Sequence, residues 1–569
     1  MRIVLFTICL GILYPQTDLN SLYHSYDDIR NQLYNWNEEF GNSTHPFYNS
    51  IVYQLDSIGV SSNEDLPIYA VKLSINAHEE EDEPRVLILG QCHAEEILGV
   101  EMSMALINWL LYPSDTPWGN SDLPMFMHNL EIWVVPTHNP EGLRVVHGYN
   151  ENDVWIQDES FRKNKTDVNE NGIFDFSAFH ENEGIAGEDL DGVDLNRNYG
   201  LNWEGGDSLF IPHPSGCSFN PNYSSNYDYY RGSAPFSEKE TQAIRDFVID
   251  NHFLLSIAYH SSRSGCVSER VVFPWAWDWN DVNGNEIVDD GEADTSPDFE
   301  VIQTLAENVA YLIQKEEGGF YNPRPQKSKN GNAHDWIYAE TGCIQLLIEI
   351  GSDNMQPMEQ ELIDDIIESN RVGLFYFLKE AIQLEAKDFR HITGVVTDGI
   401  SGGELEDVEV KILEIQSDIL QPRLTDKFGR YRRLVPSDSL TIEFVAEGYE
   451  TQIMNIGESQ DDLNVSLSPS LKNVAIQLPH HYRLNQNYPN PFNPSTQIGY
   501  YLSNSDIITL QIFDLRGNLI TTLIDNEFTM PGHHEFFLQS EKNDLGSGIY
   551  FYKLKTTKWQ ETRKMLIIK

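Results

Sequence analysis

The run Arg85-Val-Leu-Ile-Leu-Gly-Gln-Cys-His93-Ala-Glu-Glu96 ends an apolar stretch in a histidine and a carboxylate. An apolar run broken by a short turn reads as a buried strand that delivers its next side chains to a sheet edge. Imidazole and carboxylate together suit Zn2+, and a catalytic zinc takes three protein ligands with a fourth position left open. A lone His-x-x-Glu pair arises readily as surface polarity, so its weight comes from three further segments. Leu254-Leu-Ser-Ile-Ala-Tyr-His260 is a second apolar strand ending in a histidine, and Ile344-Gln-Leu-Leu-Ile-Glu349 is a third ending in a glutamate. Gly192-Val-Asp-Leu-Asn-Arg197 sets an amide, Asn196, beside a guanidinium, Arg197. That pair is able to grip a carboxylate through two hydrogen bonds.

The order His-x-x-Glu, Asn-Arg, His, Glu, each at a strand end, resembles the M14 family of zinc metallocarboxypeptidases from about Ser21 to about Glu385. Thr137-His-Asn-Pro-Glu-Gly142, Phe161-Arg-Lys-Asn164, Val272-Phe-Pro-Trp275 and His334-Asp-Trp-Ile-Tyr338 match it further. The resemblance implies that His93, Glu96 and His260 hold one catalytic Zn2+. It implies that Asp194 holds His93 by its second nitrogen, fixing tautomer and orientation. Glu349 would be the general base and Arg162 the support of the developing oxyanion. Asn196 and Arg197 would clamp the substrate's terminal carboxylate. Such a clamp makes an exopeptidase, because an internal peptide brings no anion to offset the desolvated arginine. The implied reaction is hydrolysis of C-terminal residues from peptides and proteins. One alternative is a peptidase for bacterial cell-wall peptides, which also end in carboxylates. Another is a catalytically inactive binding module, against which the intact His93, Glu96, His260, Glu349 and Arg162 argue.

Two positions depart from the family pattern. Where the family keeps a tyrosine ahead of the Asp-Trp pair, this chain has Lys327, and the nearest upstream tyrosine is Tyr321. Either Tyr321 or Lys327 could meet the substrate's anion. His334 stands where relatives read the substrate side chain with an aliphatic residue or an aspartate, and it fits neither rule. Ala276 occupies a second specificity position, where the basic-selective branch has an acid, which disfavours a strict Lys/Arg preference.

Two insertions read as structural Ca2+ loops. Asp281, Asn283, Asn285, Asp289 and Glu292 follow the oxygen spacing of an EF-hand loop without its glycine. Asp167, Asn169, Asn171 and Asp175 have the glycine but no closing glutamate. Hard oxygen ligands at alternate positions suit Ca2+.

These residues need a scaffold. Strand-like and helix-like segments alternate over 20–387, which predicts an α/β domain with a mostly parallel mixed sheet flanked by helices. Ile97–Leu111 reads as a helix behind the first ligand pair, Ser237-x-x-Glu240 as a capping box opening the next, and 358–382 as a long closing helix. From about Asp388 the pattern turns to short alternating strands, and two small all-β sandwiches follow. Thr425-Asp-Lys-Phe-Gly-Arg-Tyr431 and Ala446-Glu-Gly-Tyr449 make 388–470 resemble the transthyretin-like, carboxypeptidase regulatory-like domain. In 480–569, Asn487-Tyr-Pro-Asn-Pro-Phe-Asn-Pro494 resembles the type A C-terminal sorting domain of type IX secretion cargo. That implies the type IX machinery as a partner, and a secreted or cell-surface protein of a Gram-negative bacterium.

The chain's 569 residues suit roughly two to four domains. With 88 acidic against 38 basic residues, the net charge of −50 disfavours nucleic acid and anionic membranes as partners. Residues 1–19 open with one arginine and an apolar run, as a secretory signal does. That run is too short to span a bilayer, and no other segment approaches membrane length. Outside it, Cys92, Cys217, Cys266 and Cys343 either pair, in one of three ways, or stay as buried free thiols.

Overall fold

The computed structural model describes residues 19–116, 122–174, 191–206, 229–261, 269–280, 282, 288–289, 291–352, 354–384, 389–415, 417–458, 460–470, 482–487, 489–503, 505–530, 532–540, 542 and 545–568. Its first unit is built on eight strands: β1 (Tyr53–Val60), β2 (Pro67–Leu73), β3 (Arg85–Gln91), β4 (Glu131–Thr137), β5 (Leu255–His260), β6 (Arg270–Phe273), β7 (Asn322–Pro325) and β8 (Ile344–Glu349). They form one sheet in the order β1-β2-β4-β3-β5-β8-β6-β7. The central pairs β4–β3, β3–β5 and β5–β8 are parallel, as is β6–β7, while β1–β2, β2–β4 and β8–β6 are antiparallel. The sheet is therefore mixed with a parallel centre, as the alternation of segments predicts.

Burial explains the strand sequences. Val86, Leu87, Ile88 and Leu89 of β3 are almost wholly buried because helices cover both faces, so the strand reads as a continuous apolar run. β1, at the sheet edge, is half exposed along most of its length.

Helices form where apolar spacing and caps agree. In α1 (Tyr26–Phe40), Tyr26, Ile29, Leu33, Trp36 and Phe40 repeat at helical spacing and are buried. Ser25 and Asp28 close a reciprocal capping box at its start. α2 (Leu98–Leu111) follows the His93–Glu96 turn directly. Its Gly99 lies so close to the sheet that a Cβ there would come 2.3 Å from the Gly90 carbonyl oxygen. Only a residue without a side chain allows this approach.

α3 (Lys239–Asn251) corrects one expectation: its N-cap is Glu238 and it has no side-chain cap. Ser237 instead donates to Glu238 Oε1 at 2.7 Å and accepts from Asn198 at 2.9 Å. Glu240 is drawn away to Ser62. Tertiary polar partners outcompete the local box here. α4 (Phe299–Ala310), α5 (Ala333–Thr341) and α6 (Gln360–Ala381) complete the layers.

The β-rich stretch that begins at Phe389 forms a three-stranded and a four-stranded sheet between Phe389 and Leu467. Ile392, Val396, Val410, Ile442 and Phe444 are buried there, while Leu434 joins the core of the α/β sheet. By contacts it belongs to the same compact unit as the α/β sheet, Met1–Val445 with Thr451–Leu467. Within that unit, Arg433 bonds Asp298 at 2.9 Å and Gln421 N–H donates to the Ala339 carbonyl at 2.8 Å.

The second unit, Ala446–Glu450 with Ser468–Lys569, likewise holds a three-stranded and a four-stranded sheet. Its core includes Leu484, Phe492, Ile498, Leu510, Tyr552 and Met565. Tyr552 OH accepts from Asn487 N–H at 2.8 Å and donates to the Asn485 carbonyl at 2.7 Å, tying the Pro-rich opening segment to this core. No helix among the described residues is long and apolar enough to cross a membrane.

Candidate metal centre

β3 ends at Gln91, and the turn that follows presents His93 and Glu96 above the carboxyl ends of the parallel strands. Asn139 fastens the turn from behind, donating to the Cys92 carbonyl at 2.9 Å and the Lys163 carbonyl at 3.0 Å. Ala94 N–H donates to the Arg162 carbonyl at 2.9 Å. His260 ends β5 and Glu349 ends β8, and the two are register partners across the strand pair. Ile350 N–H donates to the His260 carbonyl at 2.7 Å, extending the pairing past both residues.

His93, Glu96 and His260 converge. Their ligand atoms all lie within 4.8 Å of one another, and all three side chains are buried. His93 Nδ1 is 2.9 Å from Glu96 Oε1 and 3.1 Å from His260 Nδ1, and His260 Nδ1 is 2.9 Å from Glu96 Oε2. The donor chemistry fits zinc: two imidazole nitrogens and a carboxylate oxygen facing one point in a dry site. Bonds of about 2.0–2.1 Å in a tetrahedron put ligand atoms about 3.3 Å apart, close to the spacings found. Among the described residues no other group of His, Cys, Asp and Glu converges this way.

Charge around the three is balanced by burial. Burial alone would push Glu96 up, but His93 and His260 outweigh it and hold its carboxyl well below the usual range. Asp194 is the second partner of His93, with Oδ1 3.1 Å from Nε2. Burial works against its charge too, yet Arg162, His93 and Arg197 keep it well below its ordinary value. Arg162 donates to Asp194 Oδ2 at 3.2 Å and to Glu96 Oε1 at 3.1 Å. Burial disfavours its charge, but Asp194, Glu96 and Glu95 more than compensate and lock the guanidinium in the charged form.

Glu349 is different. Its Oε2 is buried and has no hydrogen-bond partner among the described residues. Burial first, then the Glu96 carboxylate, pushes its pKa up to about 8.

Asn196 and Arg197 sit in a short 3-10 turn capped by Asp194, whose Oδ1 accepts from Asn196 N–H at 2.9 Å. Asn196 spends its carbonyl oxygen on Ala333 N–H at 2.8 Å, at the start of α5, so the donors of its amide remain for a ligand. Arg197 has one hydrogen bond, from Nη1 to the Asn196 carbonyl at 2.8 Å, and no carboxylate partner among the described residues. α5 carries His334, which is buried with both ring nitrogens unpartnered among the described residues. Burial, followed by His260 and Arg197, lowers its pKa to about 3, so it stands as a neutral ring near both. Asp335 beside it takes Trp277 Nε1–H at 2.9 Å, and burial raises it to about 8.

The structure answers other sequence expectations unevenly. Tyr321 is buried, and its hydroxyl is engaged by Gly351 N–H at 3.2 Å and Asn370 at 3.4 Å. The Lys327 ammonium lies 3.9 Å from the centre of the Trp279 ring. Neither is seen with the Asn196–Arg197 pair. Cys92 and Cys343 are buried and free, whereas Cys217 and Cys266 lie outside the described residues. So do Asp175, Asp281, Asn283 and Asn285. In the described parts of the two acidic loops, side chains serve the loops' own backbone. Asp167 accepts from Gly172 N–H at 2.7 Å, Asn169 from Asn171 N–H at 3.0 Å and Asn171 from Ile173 N–H at 2.7 Å. Glu292 accepts from Val282 and Asp289 N–H groups, both at 3.2 Å. Nothing in these turns supports calcium over a solvated acidic loop.

Sequence reading missed two neighbours of the site. Asn139 sits in a quoted motif but received no role there. His138 is buried, and burial, with His260 and His93 behind it, lowers it to about 3.

The class defined here is an α/β fold whose mixed sheet carries a His-Glu-His cluster and a glutamate at the carboxyl edge of its parallel centre. Residues 27–371 match the zinc carboxypeptidase family, peptidase family M14, and the chain belongs to it. Residues 486–569 match the secretion system C-terminal sorting domain, which marks the chain for secretion or the cell surface. The chain is 23% identical to carboxypeptidase Z of Gallus gallus over 78% of its own length and 60% of that protein's. To mast cell carboxypeptidase A of Homo sapiens it is 26% identical, over 45% of this chain and 49% of that one. It thus spans 60% and 49% of these two relatives' lengths. A solved structure of thrombin activatable fibrinolysis inhibitor is similar at 18% identity, with a TM-score of 0.45, covering 64% of this chain and 75% of that one.

Proposed function

We propose that this chain is an exported zinc carboxypeptidase that removes residues one at a time from the C-termini of peptides. The observation that carries the reading is Arg197: a guanidinium near Asp194 and the metal cluster whose N–H groups no described carboxylate takes as a hydrogen-bond partner. A half-buried guanidinium with no direct carboxylate contact keeps its donor fork open to an anion that a ligand brings. A peptide's terminal carboxylate is such an anion, and the donors of Asn196 stand next to it.

In this reading His93, Glu96 and His260 hold the metal, and Asp194 orients His93 through Nε2. Zinc bound there would supply a Lewis acid that polarises a carbonyl and acidifies water. Glu349, with Oε2 unengaged, would accept a proton from water at that atom and give it to the leaving amine. Arg162 faces the oxygen on which charge develops, already fixed by Asp194 and Glu96, so no reorganisation is needed during the reaction. His334 lines the space for the terminal side chain.

The β-sandwich of 388–470 is read as a transthyretin-like, carboxypeptidase regulatory-like domain. In support, the likeness to carboxypeptidase Z covers 78% of the chain and so runs past the catalytic match ending at 371. Residues 1–19 act as the signal, 20–387 as the catalytic domain and 480–569 as the sorting tail. The tail's partner would be the type IX machinery of a Gram-negative bacterium.

The test is a pair of peptides of one sequence, one with a free C-terminus and one amidated, given to the zinc-loaded protein. The free acid should be trimmed and the amide left almost intact. Equal cleavage of both would make this an endopeptidase on a carboxypeptidase fold.

A further inference from the structure

We infer that Tyr229 is a positioning residue of the anion pocket, its ring holding Arg162 and Arg197 at the spacing one bound substrate requires. The inference rests on the roles proposed above for those two arginines. The Arg162 guanidinium carbon lies 5.2 Å from the centre of the Tyr229 ring, and that of Arg197 lies 5.7 Å from the same centre. Both distances fall within the roughly 6 Å over which an aromatic face attracts a cation.

The two arginines are not held alike. Arg162 is fastened by Asp194 and Glu96 at 3.2 and 3.1 Å. Among the described residues Arg197 has a single hydrogen bond, to the carbonyl of its own neighbour. Something must orient its long side chain, and a carboxylate partner would occupy the donor fork and cancel the charge. An aromatic face orients a guanidinium through its plane and leaves the N–H edge free for an anion. It also draws two like charges to one object, which offsets their repulsion.

The backbone that follows Tyr229 is anchored independently of any ligand. Asp194 N–H donates to the Tyr230 carbonyl at 2.8 Å. Asn198 and Trp203 Nε1–H donate to the Arg231 carbonyl at 2.8 and 2.9 Å. The strand of chain that bears Tyr229 is thus laced to the turn that bears Arg197. The pocket thus gains an aromatic residue from a different segment.

The experiment uses the full-length, zinc-loaded protein, with Tyr229→Leu, Tyr229→Phe and Arg197→Ala assayed on one free-acid peptide. Zinc content and thermal midpoint are measured for each, and Tyr229→Gln replaces the leucine variant if that one does not fold. Tyr229→Leu should raise KM about tenfold with kcat within about threefold of wild type, while Tyr229→Phe stays near wild type. Adding Tyr229→Leu to Arg197→Ala should cost little more than Arg197→Ala alone. An unchanged KM in Tyr229→Leu overturns the inference. So does a phenylalanine variant as impaired as the leucine one, because the hydroxyl would then matter and not the ring face. Should Arg197→Ala itself leave KM untouched, the carboxylate clamp fails and this inference with it. A loss in Arg197→Ala with none in Tyr229→Leu removes only the role of Tyr229.

Discussion

Glu349 and His260 end adjacent parallel strands in register, so a carboxylate and an imidazole of the His93–Glu96–His260 cluster emerge at the same level of the sheet. Their separation is set by strand spacing, which side-chain changes elsewhere alter little. Glu349 makes no hydrogen bond through Oε2 among the described residues, and burial followed by the Glu96 carboxylate pushes it up to about 8. A divalent cation on the neighbouring ligands would draw that value down again. The group is therefore poised to exchange a proton near neutral pH once the metal is in place.

Replacing Glu349 by Gln keeps the size of the side chain and removes its basicity. Zinc content and substrate binding should persist while kcat falls by about 10²–10⁴-fold. Turnover within about tenfold of wild type would mean that another group moves the proton.

Removing one ligand leaves two, too few to hold a catalytic zinc tightly. His260→Ala should therefore emerge from gel filtration without metal and without activity, and a strong chelator should do the same to the wild type. Metal analysis of the two preparations settles it; full occupancy in the variant would contradict the ligand set.

Arg433 and Asp298 form an ion pair with side chains 7% and 2% exposed, and Asp298 also accepts from Tyr338 of α5 at 2.8 Å. Truncating one member of a buried pair strands the other's charge. Arg433→Ala should destabilise the chain by about 3–5 kcal/mol in denaturant titration. Because Tyr338 shares the helix of His334, KM should rise as well. A variant as stable as wild type would show that water replaces the pair.

Glu240 gives a prediction in pH. It is buried with Glu141 and Glu238 near the Ser62 loop, and burial, then the Glu141 carboxylate, raises it from 4.5 to about 8. The folded chain keeps this proton up to about pH 8, whereas an unfolded chain releases it near 4.5. The group's stabilisation is thus present below that lower value and lost as pH rises toward the upper one. The thermal midpoint should drop between pH 5 and pH 9, and Glu240→Gln should flatten that drop and melt higher than wild type at pH 9. Parallel melting curves for the two proteins across the range would discount the buried acid.

The sequence by itself determined the strands and what stands at their ends. Val86–Leu89, Leu255–His260 and Ile344–Glu349 are apolar runs because both sheet faces are covered, and that burial is written directly in residue type. A ligand next to such a run must emerge at the sheet's edge, so His93, Glu96, His260 and Glu349 were legible as a set. The strand patterns of the two C-terminal β-rich segments follow equally local rules. Interactions between distant segments were not legible. Ser237 lost its predicted cap because Asn198 and Glu238 offered better partners, and Tyr321 was taken up by Gly351 and Asn370. The amide oxygen of Asn196 went to the N-terminus of α5, and Tyr229 came to lie over two arginines from separate loops. Periodicity reports how one segment meets an apolar layer; it carries nothing about which polar group from another segment arrives beside it. That choice depends on competing hydrogen bonds and desolvation once the chain is closed, and only the tertiary structure decides it.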